Sequence, residues 1–252
     1  MMGRNHLAIA LILVCANLWA LNSLGYTHFS LLQSAAIIIF VSIGSLLPDV
    51  DSVANGHSTS TFNSKSKIPF FGPLRAGISF LTLYLVFKPL QIILSIIGIA
   101  RPSAKELAGH RGIMHTGLGL LIVIGVWWLI LSTVFALLKL PSNYYTFPLA
   151  SLALGYAIHL IEDSHTRGGI KYMTGLVFPK KFFVNGSLIT ESTGGATILS
   201  GDYLALIYYF FALVPVAALA YFGKIPTIYV IYATGGSLLL ALFLFNMKAT
   251  LE

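Results

Sequence analysis

Three short motifs of this chain are rich in aspartate, histidine or arginine. In chain order they are Leu46-Leu-Pro-Asp-Val-Asp51, His110-Arg-Gly-Ile-Met-His115 and His159-Leu-Ile-Glu-Asp163. Neutral imidazoles bind transition metals well, and carboxylates bind most divalent cations. These residue types therefore favour a metal site, and His6, near the start of the chain, is a further candidate ligand.

The first and third motifs have spacings that suit a shared ion. Asp49 and Asp51 follow a proline, and two carboxylates two residues apart point the same way in an extended segment. His159 and Asp163 are four residues apart, which places both on one face of a helix. They could bind one ion together, or Asp163 could orient the imidazole. Solvated acidic turns and chance pairs have the same spacings, so the prediction depends on the whole set.

The composition is that of a membrane protein. Of the 252 residues, 57% are hydrophobic and only 9% are charged, whereas about a quarter of an ordinary soluble protein is charged. A net charge of +7 would suggest nucleic acid as the partner of a soluble protein. In a membrane protein, loop cations instead set the topology and meet anionic headgroups, so we expect no direct nucleic-acid binding. The single cysteine, Cys15, excludes a disulfide framework and a cysteine-rich metal site.

Long apolar runs predict an all-α, polytopic membrane fold with about six transmembrane helices. The runs cover residues 7–24, 31–47, 113–140, 147–162, 203–222 and 225–247. We predict one membrane-embedded domain, 1–252, in which residues 1–180 bear the site. The two C-terminal helices, 203–247, contain no acid and no histidine, so we expect them to be structural.

Two further patterns concern packing and the longest polar stretch. Gly235 and Gly236 are expected to let the last helices pack closely. The polar loop 170–202 contains an Asn185-Gly186 turn between β-prone residues, which predicts a small β-hairpin.

The apolar segment 76–100 is interrupted at its centre by Lys88-Pro89. All candidate ligands share one side of the membrane only if this segment starts and finishes on the same side. A lysine at the midplane costs about 2.5–3.5 kcal/mol, and each half is too short, at about 18 Å of helix, to cross a core of about 30 Å. We therefore predict a re-entrant or interfacial helical hairpin bent near Pro89.

The distribution of positive charge predicts which side this is. With that topology, all of the 15 lysines and arginines except Lys88, Lys139 and Lys224 fall on the side of the site. Cytoplasmic loops carry an excess of lysine and arginine, so we predict a site that faces the cytoplasm from the inner (plasma) membrane.

The ordered set of motifs, preceded by an early histidine, resembles the YdjM-like family of membrane-bound metal-dependent hydrolases. The resemblance runs from about His6 to Pro179. The family pattern has His-Arg-Gly-x-Thr-His-Ser, whereas this chain has Met114 and Thr116 at the two hydroxyl positions. The family is described as LexA-binding and inner-membrane-associated, so the resemblance also implies a regulatory protein partner. More distantly, the motifs are similar to those of helical zinc phospholipases and nucleases.

Two other classes of hydrolase are excluded by their own motifs. Lipid phosphatases of the PAP2 type need an arginine six residues before the histidine of His-x-x-x-Asp, and that position holds Ala153. Zincin proteases need His-Glu-x-x-His, which the chain lacks.

We therefore predict a membrane-embedded hydrolase with one or two divalent metal ions, zinc most readily and manganese or iron as alternatives. The expected ligands are Asp49, Asp51, His110, His115, His159, Asp163 and His6. Arg111 and Arg167 are expected to stabilise charge on the phosphoryl group of a substrate. Glu162 and His165 fall on other helical faces and are interpreted as spare polar residues.

The predicted reaction is attack of a metal-activated water on a phosphoester, with Asp51 or Asp163 as general base. A site at headgroup depth favours a phospholipid or a lipid-linked phosphate as substrate. The alternative class is non-enzymatic: a transporter or scaffold with a transported or structural cation. Transporters place such groups near the midplane, whereas these candidate ligands lie at helix ends.

Overall fold

The computed structural model describes residues 3–51, 71–100, 107–108, 112–166, 169–173, 182–186 and 201–251. The helices in these ranges are α1 (Gly3–Ser23), α2 (Leu31–Gly44), α3 (Phe71–Leu81), α4 (Lys88–Ala100), α5 (Gly117–Leu137), α6 (Asn143–Ser164), α7 (Gly201–Tyr221) and α8 (Ile228–Leu244). A π-helix, Thr82–Phe87, joins α3 to α4, and a 3-10 helix, Ile113–His115, precedes α5. The prediction of an all-α membrane protein is confirmed.

Within the described ranges, five helices are long and apolar enough to cross a membrane. These candidate spans are Asn5–Ser23, Pro73–Ile97, Gly117–Leu137, Tyr144–Ser164 and Leu204–Tyr221. The helices α2 and α8 are apolar but shorter. The N-terminus of α2 is fixed by a capping box, in which Ser30 and Gln33 each bind the backbone N–H of the other.

In the described part of the chain the helices form two large apolar clusters and a small third one, which contains Ala20, Ala220 and Val230. The first contains buried residues of α3 to α6, with Trp127 of α5 and Tyr156 of α6 among the largest side chains. The second lies between α1, α2, α7 and α8 and includes Ile9 and Tyr209. The helix pair α2 and α6 lies between them, because both helices contribute residues to both clusters.

Glycines bring the backbones of α2 and α6 into direct contact. A Cβ atom on Gly44 would lie 2.2 Å from the carbonyl oxygen of Leu152, and one on Gly155 would lie 2.1 Å from that of Val41. Only glycine permits this approach. The predicted role of Gly235 in close packing is wrong, because a Cβ atom there would have no neighbour within 4 Å, and the same holds for the adjacent Gly236.

The prediction of a helical hairpin bent near Pro89 is wrong. The helices α3 and α4 and the π-helix form one continuous helical run that lies antiparallel to α5. Near its middle, Nε1 of Trp127 donates a 3.0 Å hydrogen bond to Oγ1 of Thr82. The start of the run lies with Tyr144 at the end of the bundle away from the candidate ligands, where Pro73 and Tyr144 line one cavity.

The π-helix explains how the run continues through Lys88-Pro89. The N–H of Lys88 bonds to the carbonyl of Leu83, five residues back, so the wider turn accommodates the missing N–H of proline. Lys88 is only partly buried and donates to Oε1 of Gln91, whose own amide donates to the carbonyl of Ala108. The predicted topology also requires that residues 52–70 stay on one side of the membrane. That part of the prediction is not tested, because residues 52–70 lie outside the described residues.

A small sheet lies at the end of the bundle where the chain leaves α6. Its strands are β1 (Ile170–Met173), β2 (Phe182–Asn185) and β3 (Lys248–Leu251), in the order β1-β2-β3 with antiparallel pairing. A hairpin within 170–202 is thus confirmed, formed by β1 and β2. It lies before Asn185-Gly186 and not across it, because β1 and β3 occupy both edges of β2.

Gly186 has a different role from the predicted turn. Its N–H donates a 2.9 Å hydrogen bond to the carbonyl of Thr166, and a Cβ atom on it would lie 2.1 Å from the carbonyl oxygen of His165. Glycine here lets the end of β2 pack directly against the backbone at the end of α6. The glycine of the Asn-Gly pair is therefore explained by this close backbone contact and not by a turn. Residues 187–190, the expected second strand, lie outside the described residues.

Candidate metal centre

Four helix ends bring the candidate ligands together at one end of the bundle. His6 lies in the first turn of α1, Asp49 follows α2, His115 ends the 3-10 helix, and His159 and Asp163 lie in the last turns of α6. The side chain of Asp49 is 14% exposed, and the other four are at most 2% exposed. The site is therefore a buried cluster with a single partly open edge among these five residues.

Two histidine nitrogens of this cluster each lie between two carboxylate oxygens. Oδ2 of Asp163 lies 3.5 Å from Nε2 of His115 and 3.5 Å from Nε2 of His159. Oδ1 of Asp49 lies 3.7 Å and 3.9 Å from the same two nitrogens. In tetrahedral zinc coordination, with bonds of about 2.0–2.1 Å, neighbouring ligand atoms are about 3.3–3.4 Å apart. The four nitrogen–oxygen distances, 3.5–3.9 Å, are thus slightly longer than the corresponding distances in a zinc site.

His6 extends the cluster on the other side of Asp163. Its Nε2 lies 3.5 Å from Oδ1 of Asp163, the carboxylate oxygen that faces away from His115. The rings of His6 and His159 are stacked, with centroids 3.8 Å apart. Donor atoms of His6, His159 and Asp163 lie within 4.8 Å of one another, as do those of Asp49, His115 and His159. The structure therefore has two groups that could hold a metal ion, and they share His159.

The Nδ1 atom of each of the three histidines has a hydrogen-bond partner. Nδ1 of His6 is 2.6 Å from Oε2 of Glu162, and Nδ1 of His115 is 3.1 Å from Oδ2 of Asp51. Nδ1 of His159 is 2.7 Å from the carbonyl oxygen of Ser45. A hydrogen bond at Nδ1 fixes the ring and leaves the lone pair at Nε2, which is how proteins orient metal-ligating histidines.

The Nε2 atoms, in contrast, point into the cluster. Those of His6 and His159 are buried and have no hydrogen-bond partner within the described ranges. A buried polar atom without a partner is costly, and a metal ion at the cluster would relieve that cost. The donor set of histidine nitrogens and aspartate oxygens also matches the ligands that zinc takes.

Asp51 is placed differently from Asp49. It is fully buried and accepts a hydrogen bond from the ring of His115, and it belongs to neither group of donors that could hold an ion. Its carboxylate therefore has the position of an orienting residue. The backbone turns between the two residues, so the extended geometry assumed for Asp-x-Asp does not hold here: residue 50 is already helical.

Glu162 is a member of the site that the helical spacing did not reveal. Its interpretation as a spare polar residue is wrong, because it is buried and binds Nδ1 of His6. A glutamate in the apolar last turn of a membrane helix was the available signal, since an unpaired charge there is expensive. His165 is also buried, with its ring against Tyr209 and Phe245, so it is not a spare surface residue either.

The charge state of the groups outside the spans follows from this packing. Burial opposes protonation of His115, but Asp51, with Asp49 and Asp163, outweighs burial and raises the pKa to about 10. Burial would raise the pKa of Asp49, but the neighbouring His159 and His115 outweigh it and hold that pKa well below its usual value. Burial lowers the pKa of His165 to about 4.

Three predicted site residues, His110, Arg111 and Arg167, lie outside the described residues. The two departures from the family pattern are described. Oγ1 of Thr116 accepts a 2.9 Å hydrogen bond from the N–H of Gly119 and caps α5, as a serine would. Met114 is fully buried in the apolar cluster of α3 to α6, and its carbonyl accepts a hydrogen bond from Tyr156.

Comparison with known proteins agrees with the architecture. A family model described as YdjM inner membrane protein matches residues 1–226, which include every motif of the candidate site. No curated protein and no solved structure matches the chain. The match and the five candidate spans describe a multi-pass inner membrane protein, and the chain belongs to the YdjM inner membrane protein family.

Proposed function

We propose that this protein is a metal-dependent hydrolase that acts on a phosphoester, such as a phospholipid or a lipid-linked phosphate, at the membrane surface. The observation that carries the proposal is the orientation of His6, His115 and His159. Each ring is fixed at Nδ1 and directs Nε2 toward a shared carboxylate, that of Asp163. Structural polar residues have no reason to leave two such nitrogens buried without a hydrogen bond among the described residues.

His115, His159, Asp49 and Asp163 would hold one divalent ion, and His6 with the second oxygen of Asp163 would contribute to another. When bound, such an ion supplies Lewis-acid stabilisation of a phosphoryl oxygen and lowers the pKa of a water molecule. Zinc suits the mixture of nitrogen and oxygen donors, and manganese and iron are the alternatives. In this proposal Asp51 and Glu162 are positioning residues, because each acts on the site through a histidine ring.

Asp49 marks the edge at which a substrate would approach. It is the one member of the five-residue cluster with appreciable exposure, and it stays ionised because of the histidines around it. Its second carboxylate oxygen is therefore available as a hydrogen-bond acceptor for a proton of the attacking water. We assign the general-base role to Asp49 in place of Asp51, since Asp51 is fully buried against His115.

Arg111 and Arg167 are the proposed partners of the phosphoryl group, because both flank ligand positions in the chain. We also propose that the site faces the cytoplasm. The course of α3 places Arg75 at the opposite end, beside Pro73, but the excess of lysine and arginine in the segments next to the site end remains.

The proposal is tested with protein purified in detergent without chelators. We expect hydrolysis of a soluble phosphodiester, bis-p-nitrophenyl phosphate, or of phospholipid vesicles, abolished by His115→Ala and restored in the wild type when metal is added after chelation. His28→Ala is the matched control, because His28 lies in the connection between α1 and α2, away from the cluster. Absence of any metal-dependent hydrolysis by the wild type on either substrate class would contradict the proposal.

One observation favours a second function, a structural cation site. The cluster is buried, and only Asp49 gives it an open edge among the five candidate ligands. A structural ion would make the free energy of unfolding depend on metal without any turnover. Metal-dependent stability in a protein that hydrolyses neither substrate would support this function instead.

A further inference from the structure

An apolar groove runs along the outside of the bundle from the level of the metal cluster. Its volume is about 310 Å³, and it lies between α1, α2, α6, α7 and α8. On α6 its lining extends from Glu162 to Leu154, and on α1 from Leu13 to Leu21. Each stretch of nine residues spans eight helical rises, about 12 Å, which is close to the ~15 Å thickness of one leaflet of the hydrocarbon core.

The inner end of the groove is polar. Glu162 and Tyr209 both line it, and both side chains are about 1% exposed. Oε1 of Glu162 and the hydroxyl of Tyr209 have no hydrogen-bond partner in the part of the chain that the structure describes. The polar groups further along the groove are satisfied: Nδ2 of Asn17 donates to Oγ1 of Thr234 at 2.9 Å. Among the described residues that line the groove, the unmet hydrogen bonds are thus confined to the end beside the metal cluster.

We propose that this groove binds one acyl chain of a glycerolipid, with the polar end of the lipid at Glu162 and Tyr209. Ligand sites of 300 Å³ or more, mostly apolar with a few convergent polar groups, are typical of specific small-molecule binding. A carboxylate oxygen needs a donor and the tyrosine hydroxyl needs an acceptor. A free glycerol hydroxyl beside an acyl ester supplies both, so the ligand is a lipid with one unesterified glycerol hydroxyl.

The position of Glu162 connects this lipid site to the metal cluster. Its other carboxylate oxygen, Oε2, holds Nδ1 of His6 at 2.6 Å. A lipid hydroxyl that donates to Oε1 would therefore bind the same carboxylate that orients His6. The lipid site itself does not depend on the proposed hydrolysis, because it is argued from the groove and its polar end alone.

A second apolar groove provides the comparison. It is larger, about 460 Å³, and is lined by residues of α3, α5 and α6 that include Leu81 and Leu152. Among the buried polar atoms without a partner in the described chain, none belongs to a residue that lines it. No such atom would fix the polar end of a lipid there, so we expect no selective binding in that groove.

The test uses photolabelling of the full chain in phosphatidylethanolamine and phosphatidylglycerol vesicles. The probe is lysophosphatidic acid with a diazirine at the end of its acyl chain, and the comparison probe is the diacyl phosphatidic acid. Leu154→Trp fills the first groove and Leu81→Trp fills the second. Leu81→Trp is the matched control for Leu154→Trp, because the two leucines are 41% and 48% exposed and a larger side chain fits at both positions.

We expect label from the lysolipid on peptides 13–21 and 234–238, which line the groove. Leu154→Trp should lower this label about tenfold, because several methylene groups lose their burial, and Leu81→Trp should leave it unchanged. Tyr209→Phe should lower it severalfold. If the lipid makes no hydrogen bond to this hydroxyl, its removal should not weaken lipid binding. Unchanged labelling of Tyr209→Phe would therefore contradict the proposed contact between the lipid and Tyr209.

Three further results would overturn the proposal. They are label that does not respond to Leu154→Trp, equal loss in both tryptophan variants, and equal label from the diacyl probe. Should the full protein bind the probe in this groove but hydrolyse nothing, the lipid site would stand and the hydrolase would fall. Hydrolysis by a protein that is labelled only outside the groove would support the hydrolase and contradict the lipid site.

Discussion

The helix pair α2–α6 is joined through its backbone, whereas the pair α7–α8 is joined through side chains. Gly44 and Gly155 let α2 and α6 touch, and the contact brings the carbonyl of Ser45 to the ring of His159. Between α7 and α8 the hydroxyl of Tyr208 donates a 2.6 Å hydrogen bond to the carbonyl of Ser237.

The difference follows the distribution of function along the chain. Metal ligands must be held to within about 0.5 Å, and a backbone contact without intervening side chains has few ways to shift. The α2–α6 pair carries or orients most of the candidate ligands, and the C-terminal pair carries none of them. Close glycine packing is therefore found where geometry matters most, although the sequence offers an adjacent glycine pair, Gly235-Gly236, in α8.

Disturbing the α2–α6 contact should have the largest effect. Gly155→Ala places a Cβ atom 2.1 Å from a carbonyl oxygen of α2, so the helices must separate. We expect the free energy of unfolding to fall by about 1–3 kcal/mol or more, with loss of metal affinity. Thermal unfolding in detergent and metal analysis measure both effects.

The control is Gly235→Ala, whose new methyl group meets open space. Stability there should stay the same or rise by up to about 1 kcal/mol from the better helix propensity of alanine. Equal destabilisation by the two substitutions would show that backbone contact does not distinguish the two helix pairs.

Asp51 allows the orienting role to be separated from the ligand role. Asp51→Asn keeps the shape but removes the charge that holds the ring of His115. Loss of such a partner lowers metal affinity by about 10–100-fold, whereas loss of a ligand abolishes binding. Metal affinity is measured by competition with a chelator. Complete loss of binding in Asp51→Asn would make this carboxylate a ligand.

The same histidine predicts a pH dependence. Because its pKa is raised to about 10 in the metal-free site, His115 carries a proton at neutral pH that the metal must displace. Apparent metal affinity should rise about tenfold for each pH unit up to about 10, for one displaced proton. Chelator competition between about pH 6.5 and 9 checks this, and Asp51→Asn should flatten the slope. A wild-type affinity independent of pH in this range would contradict the proton assignment.

The smallest effect is expected in the C-terminal pair. Tyr208→Phe removes one hydrogen bond between α7 and α8 and should cost about 0.5–1.5 kcal/mol of stability. Metal content should not change, because no candidate ligand lies on these helices. A drop in metal content equal to that of Gly155→Ala would mean that the C-terminal helices also position the site.

The membrane fold and the meeting of the candidate ligands could be predicted because both depend on helix ends. Apolar run length places each end, and polar residues at equal depth then come together. The length of an apolar run does not predict how the helix is rotated about its own axis. That rotation pairs Glu162 with His6 and directs Asp51 to the ring of His115, and neither contact is predicted by the spacing of the residues.

The other errors have a similar origin. Pro89 and Lys88 predict a bend, but a π-helix accommodates the proline, and Gln91 accepts a hydrogen bond from the lysine. The Asn185-Gly186 pair predicts a turn from local propensity alone. In the structure, glycine is needed because a Cβ atom at this position would collide with the carbonyl oxygen of His165, a residue 21 positions earlier in the chain. The strand Lys248–Leu251 is not predicted by the sequence, because its four residues follow an apolar helix and are too few to show an alternating pattern.

The most direct test is the metal content of the wild-type protein, purified without chelators and compared with Asp163→Ala. The carboxylate of Asp163 lies 3.5 Å from Nε2 of all three histidines, so its removal should weaken metal binding at either proposed ion position. We predict at least one divalent transition metal ion per wild-type chain and none in a variant that remains folded and membrane-inserted. A wild-type protein that contains no such metal and takes up no added zinc, manganese or iron would contradict the metal centre on which the proposed function depends.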